Sequence, residues 1–142
     1  MDKTDLEGPS RECAMLRVRM TSRAVTRHYE SYLAPSGLTG AQFTLLVSLK
    51  SDPGATATDL AERLAVDRTT LVRNLDVLER DGLLVSTQDG RARRKTLTKA
   101  GDKLLSRALP LWRKAQDDLV GKLGEEGWRE ARHSLKALRE AV

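Results

Sequence analysis

Residues 56–84 read TATDLAERLAVDRTTLVRNLDVLERDGLL, and shortly after them residues 89–96 read DGRARRKT. In the longer stretch, Thr56-x-x-Asp59 has the form of a capping box, with Asp where Glu is commoner. Leu60, Ala61 and Leu64 then mark the inner face of a helix of about two turns. Residues 65–67 (AVD) turn the chain, and Asp67 is placed to cap a second helix running to Asp81. Leu71, Leu75 and Leu78, at steps of four and three, give that helix one apolar face, and Gly82 fits a left-handed stop. Two helices joined by a three-residue turn make a helix-turn-helix.

The shorter stretch places Arg91, Arg93, Arg94 and Lys95 directly after Asp89-Gly90, a pair that readily takes the positive backbone angles of a narrow hairpin. Like charges this dense repel one another, so they are tolerated where something negative approaches. Alone, the run reads equally well as a solvated basic loop. Its flanks decide between the two: LLVSTQ (83–88) and RKTLT (94–98) read as short strands, which makes the run the tip and return arm of a hairpin. A helix-turn-helix followed at once by a cationic hairpin is a winged helix. Asp89 is unfavourable beside phosphate and is expected to hold the turn or pair with a neighbouring arginine.

Outward from this centre, residues 1–9 are polar with Gly8-Pro9 and read as an irregular end. Residues 10–33 lack Gly and Pro and carry Leu16, Met20, Ala24, His28 and Tyr32 at four-residue steps, a helix with one buried stripe. APSGLTG (34–40) breaks it, and Thr39 is a fair cap for a short, strongly apolar helix beginning AQFTLL, which ends at SDPGA (51–55). After Thr98, Leu105, Ala108, Trp112, Ala115 and Leu119 recur at alternating steps of three and four. Trp128, Ala131, Leu135, Leu138 and Val142 do the same, both with the spacing of helices packed on helices. Pro110 is expected to kink the first of these or remove one backbone bond, and Gly124 and Gly127 mark the break between them.

Composition narrows the function. Of 142 residues, 25 are Lys or Arg and 20 Asp or Glu, a net charge of +5 that points weakly to a polyanionic partner. With one cysteine, Cys13, and two histidines, His28 and His133, neither an intrachain disulfide nor the usual set of zinc ligands can be assembled. No nucleophile motif accompanies either histidine, so an enzyme is not expected, and nothing calls for a cofactor. There is no apolar run long enough to span a membrane and no apolar leader, which predicts a cytoplasmic protein.

With Leu71, Leu75 and Leu78 turned inward, the outward positions of the second helix are Arg68, Thr69, Val72, Arg73 and Asp76, with Thr70 and Asn74 at the edges. Such a helix is read from its N-terminal part in the major groove. Arginine bridges two acceptors on guanine, threonine reaches phosphate or base edges, and the helix N-terminus offers amide donors to phosphate. The competing reading makes Arg68 and Arg73 ordinary surface, paired with Asp76 and Glu79. Arg91, Arg93 and Arg94 are then candidates for the adjacent minor groove or its phosphates, with strand alternation setting Arg94 on the opposite face from the other two. The partner is therefore expected to be double-stranded DNA.

The chain resembles the multiple-antibiotic-resistance regulator (MarR) family of bacterial transcription factors. The resemblance rests on LTGAQFTLL (38–46), TDLAERLAVDRTTLVRNLDVLERDGLL (58–84), DGRARRKTLTKAG (89–101) and ALPLWRKAQ (108–116), together with SRAVTRHY (22–29). It implies a mainly α fold with a small β-hairpin wing. Residues 1–38 and 101–142 would supply an intertwined helical dimerisation lobe, and 39–100 the winged helix-turn-helix. It also implies a homodimeric repressor that binds a palindromic operator, with half-sites about 10 base pairs apart. Such a repressor is released by a small phenolic or other anionic effector. Arg68, Thr69, Thr70 and Arg73 match the family's major-groove contacts, and Arg91 matches the arginine of its wing motif, Asp-x-Arg. The hairpin departs from the pattern in being about three residues shorter.

An effector cleft would be walled by the first helix, the second helix and the start of the long penultimate one. Met15, Arg17, Arg19, Arg23, His28 and Trp112 are its candidate residues, an arginine fork suiting a carboxylate and Trp112 an aromatic ring. Equally, His28 reads as a satisfied interface residue and Trp112 as core. The reactive cysteine of peroxide-sensing relatives aligns with Met15, two residues beyond Cys13, and their paired tyrosines fall at Tyr29 and Arg19. Cys13 is thus either a redox site activated by Arg17 or a small residue at a dimer seam. The alternatives to an effector-responsive repressor are a redox-responsive one and a winged-helix protein-interaction module without a DNA site.

Overall fold

The computed structural model describes residues 2–142, and the side chains of all of these except 3, 4, 89 and 92. Its elements are α1 (Lys3–Arg11), α2 (Ala14–Leu33), a 3-10 turn (Ala34–Ser36), α3 (Gly40–Ser51), α4 (Ala57–Leu64), α5 (Arg68–Arg80), β1 (Leu84–Asp89), β2 (Ala92–Leu97) and α6 (Lys99–Glu140). The mainly α fold with a two-stranded antiparallel wing is the one expected.

The helix starts are set by side chains. Thr39 accepts the Gln42 amide at 3.2 Å while Gln42 accepts the Thr39 amide at 3.0 Å. Thr56 and Asp59 exchange the same pair of bonds at 3.2 and 2.8 Å, so aspartate completes this box as well as glutamate would. Those bonds hold the Asp59 carboxyl below the usual carboxylate range. The turn between α4 and α5 carries Ala65 in the left-handed region at φ 52°, where it closes α4 by bonding back to Ala61 and Glu62. Leu60, Ala61, Leu71, Leu75 and Leu78 are buried, joined by Leu33, Leu46 and Leu49 from α2 and α3 and by Leu105 and Ala108 from α6. Each fully buried leucine contributes about 2 kcal/mol.

Two stretches differ from the sequence reading. The first nine residues are not an irregular end: α1 begins at Lys3, Asp5 accepts the Asp2 amide at 3.0 Å and sets an acid in the first turn, and Pro9 lies inside the helix. Residues 10–33 are not one helix, because the chain breaks at residues 12–13 before α2 starts. The stripe on α2 is half-buried only toward its end, at His28 and Tyr32, while Leu16 and Met20 are 40% and 56% exposed. Pro110 does not stop α6, whereas Gly124, at φ 74°, breaks it into two arms.

Candidate nucleic-acid interface

Asp67 opens α5 by accepting the Thr70 amide at 2.8 Å, and the Thr70 bonds hold its carboxyl below the usual range. This fixes the first turn, from which Arg68, Thr69 and Thr70 project, all exposed, followed by Val72 and Arg73 on the same outward side. Asn74 is half-buried and turns toward the interior instead. Arg68 and Arg73 do not pair with Asp76 and Glu79; those two carboxylates are taken by Lys95. The helix therefore presents two arginines that, among the described residues, are bound by no acid, next to an N-terminus capped by Asp67.

The wing divides its cations. Strand pairing runs from Leu84↔Leu97 to Asp89↔Ala92, so the turn is centred on Gly90-Arg91 rather than on Asp89-Gly90. Gly90 supplies the positive φ, 60°, and Arg91 is carried at the very tip, exposed. Arg93 is also exposed. Arg94, expected among the DNA contacts, is half-buried on the other face, and its guanidinium donates to the Gly54 carbonyl, bracing β2 against the turn before α4. A guanidinium held by a backbone carbonyl on the inner face is poorly placed for phosphate. The Asp89 side chain, and with it the expected turn or ion-pair role, lies outside the described residues.

Lys95 was not among the candidates. Its ammonium lies 3.2 Å from Asp76 Oδ1 and also binds Glu79 Oε2, while Glu79 Oε1 accepts the Ser86 amide at 2.9 Å. The readable signal was two acids three residues apart on one flank of α5, opposite a strand lysine. Between α5 and the wing lies a hollow of about 340 Å³, floored by Leu49, Leu60 and Leu75, with Arg68 and Arg93 at its rim. Helix and wing cations thus converge on one side of the molecule, the arrangement needed to grip a duplex at groove and backbone together.

A larger cavity of about 520 Å³ lies where α2, α3, α5 and α6 meet, the location expected for an effector. Of the six predicted residues only Trp112 lines it, stacked at 20° on Phe43 with ring centroids 6.4 Å apart. Tyr29, whose hydroxyl donates to Gln116 and whose burial pushes its pKa up, lines it too. Leu71 and Asn74 of α5 complete one wall. The other five lie elsewhere. Met15, Arg19 and Arg23 are exposed, Arg17 donates to the Arg11 carbonyl at 2.6 and 3.1 Å, and His28 Nε2 donates to the Ala115 carbonyl at 2.8 Å. All five were correctly placed on the helix that is α2, but the residues of α2 that line the cavity are Val25, Thr26, Tyr29, Glu30 and Leu33. Cys13 is half-exposed at the position before α2; its carbonyl accepts the Arg17 amide, while the Arg17 guanidinium is taken by the Arg11 carbonyl rather than by the thiol. Among the described residues no group could hold a metal ion, and no helix is long and apolar enough to cross a membrane.

Residues 36–95 match the model of the MarR family. An uncharacterised helix-turn-helix transcriptional regulator of Bacillus cereus is 33% identical over 93 residues, a match spanning 66% of this chain and 63% of that protein. The transcriptional regulator MosR of M. tuberculosis, in complex with DNA, superposes with a TM-score of 0.81 at 38% identity, covering 92% of this chain and 96% of that one. The transcriptional repressor CouR, bound to p-coumaroyl-CoA, gives 0.80 at 32% identity, covering 92% and 94%. With the capped recognition helix, the cationic wing and likeness along nearly the whole chain, this protein belongs to the MarR family of DNA-binding transcriptional regulators and is not an enzyme.

Proposed function

We propose that this regulator is a repressor that binds a palindromic operator as a homodimer and lets go when a small aromatic molecule enters the cavity between α2, α3, α5 and α6. The observation that carries the DNA part is the set of four arginines, Arg68, Arg73, Arg91 and Arg93, exposed on one side while Asp76 and Glu79 are held by Lys95. Arg68, Thr69, Thr70 and Arg73 read the major groove, and Arg91 with Arg93 grips the backbone or minor groove beside it. Relatives support this: MosR has a crystal structure in complex with DNA, and CouR has structures bound to a 23-mer duplex and to p-coumaroyl-CoA.

The effector part rests on the cavity walls. Tyr29, Phe43 and Trp112 offer rings to an aromatic ligand, and since Leu71 and Asn74 belong to the recognition helix, filling the space moves the element that holds DNA. A ligand shifts that balance only by binding the released form more tightly. An anionic group on the ligand would have to meet Thr44 and Asn74 and keep clear of the Glu30 carboxylate, since the arginine fork expected for it lies outside the cavity. Footprinting the purified protein on its own upstream region, with aromatic acids and their neutral analogues added in turn, tests both parts. The expected result is two protected half-sites about 10 base pairs apart, lost on adding one of the compounds. Absence of protection on any upstream segment refutes the repressor reading. Protection that no aromatic compound relieves refutes the effector.

A further inference from the structure

Halfway along the wing, one rung is tied to the recognition helix by polar bonds. Ser86 and Lys95 are cross-strand partners, and both are held by α5: the Ser86 amide by one oxygen of Glu79, the Lys95 ammonium by the other and by Asp76 at 3.2 Å. The Lys95 side chain is only 17% exposed. Its neighbour Arg94, on the opposite face, is bound to Gly54. The hairpin is therefore fixed from both sides at adjacent residues, and Arg91 and Arg93 project beyond that point. A two-stranded hairpin has little stability of its own. Without the joint, the two arginines would have to be ordered each time DNA binds, an entropy cost that preorganisation removes.

We infer that Glu79 and Lys95 are positioning residues for DNA binding: they set the angle of the wing on the recognition helix, so that Arg91 and Arg93 meet phosphate in register with Arg68 and Arg73. The inference rests on the DNA reading above. It makes a prediction opposite in sign to simple charge counting. Removing the Glu79 carboxylate deletes a negative charge near the duplex, which by Coulomb attraction alone tightens binding; loss of positioning weakens it.

The test is fluorescence anisotropy with a labelled duplex from the protein's upstream region, titrated at several salt concentrations. Glu79→Gln is expected to bind roughly tenfold more weakly, with a salt slope lower by about one, the signature of one lost phosphate contact. Arg91→Ala should cost clearly less in the Glu79→Gln background than in wild type, whereas Arg73→Ala should cost the same in both, because only residues acting through one another depart from additivity. Lys95→Gln, assayed beside it, should show the same coupling to Arg91 and serves if Glu79→Gln melts below the assay temperature. Binding by Glu79→Gln as tight as wild type, or effects of Glu79 and Arg91 that simply multiply, would overturn the inference and leave the wing contact standing. Wild-type affinity unchanged by Arg91→Ala would remove the wing contact itself, and the inference with it.

Discussion

Gly101 sits where the first turn of α6 crosses the chain between α5 and β1. A Cβ at this position would lie 2.2 Å from the Leu83 carbonyl oxygen, a clash of side chain on backbone that no rotamer relieves. The same carbonyl accepts the Thr98 amide at 3.0 Å, and the Thr98 hydroxyl donates to the Gly82 carbonyl at 2.6 Å while also capping α6. These bonds set the wing base, so the backbone cannot retreat without breaking them. Gly101→Ala is expected to lose about 3 kcal/mol of stability, the scale of a forced core overlap. Urea unfolding with an unchanged slope would measure it. A loss below about 1 kcal/mol would mean that α6 shifts freely on the wing base. From the sequence, Thr98 was legible as the residue after which the last helical part begins. The need for glycine was not, because it comes from a carbonyl in another element.

At the scale of elements, what could be read followed from local physics. Capping residues and the three-and-four spacing of leucines fixed α4 and α5, and the strands followed from the turn between them. What each wing cation does could not be read the same way. Alternation told that Arg94 faces away from Arg91 and Arg93, but not that Gly54 and Glu79 wait on the two sides. The Glu79–Lys95 joint has a measurable consequence for stability. Hydrogen bonds from Lys95 and Ser86 hold the Glu79 carboxyl down at about 2, against 4.5 for a free side chain. A carboxyl depressed in the folded state adds stability above its unfolded value and loses it as pH falls from about 4.5 toward 2. The Glu79 side chain is 35% exposed, so solvent screening limits the effect to about 1 kcal/mol or less. Wild type should therefore be more stable than Glu79→Gln at pH 6, and the gap should narrow below about pH 4.5 and close only near pH 2, in paired urea titrations. A gap that stays constant from pH 6 down to pH 2 would assign it to packing rather than to the ionised carboxylate.

At the scale of the whole molecule, the arms outside the winged helix remain to be covered. The second arm of α6 carries the seam of Leu135 and Leu138, yet these are 52% and 46% exposed, and on α2 Met15 and Met20 are 67% and 56% exposed. The spacing on both helices is that of packing surfaces, yet within one chain these side chains stay exposed, so the α2 stripe read as buried is not buried by the chain's own described residues. A second copy of the chain is the proposed cover. Stable interfaces bury about 1,600 Å² in total, and aliphatic side chains at these positions supply the apolar part. Joining two winged helices makes the second half-site contact intramolecular, which raises overall affinity by about 10²- to 10⁴-fold. Replacing Leu135 and Leu138 together by aspartate should convert a micromolar dimer into monomers on sedimentation. The helical signal and thermal melting of the winged helix should survive, because neither leucine belongs to its core. Binding to the two-site duplex should fall by at least about 10², while binding to a duplex with one half-site changes little. If the doubly substituted chain stays dimeric, the seam lies elsewhere; if wild type is itself a monomer at these concentrations, the palindromic reading fails.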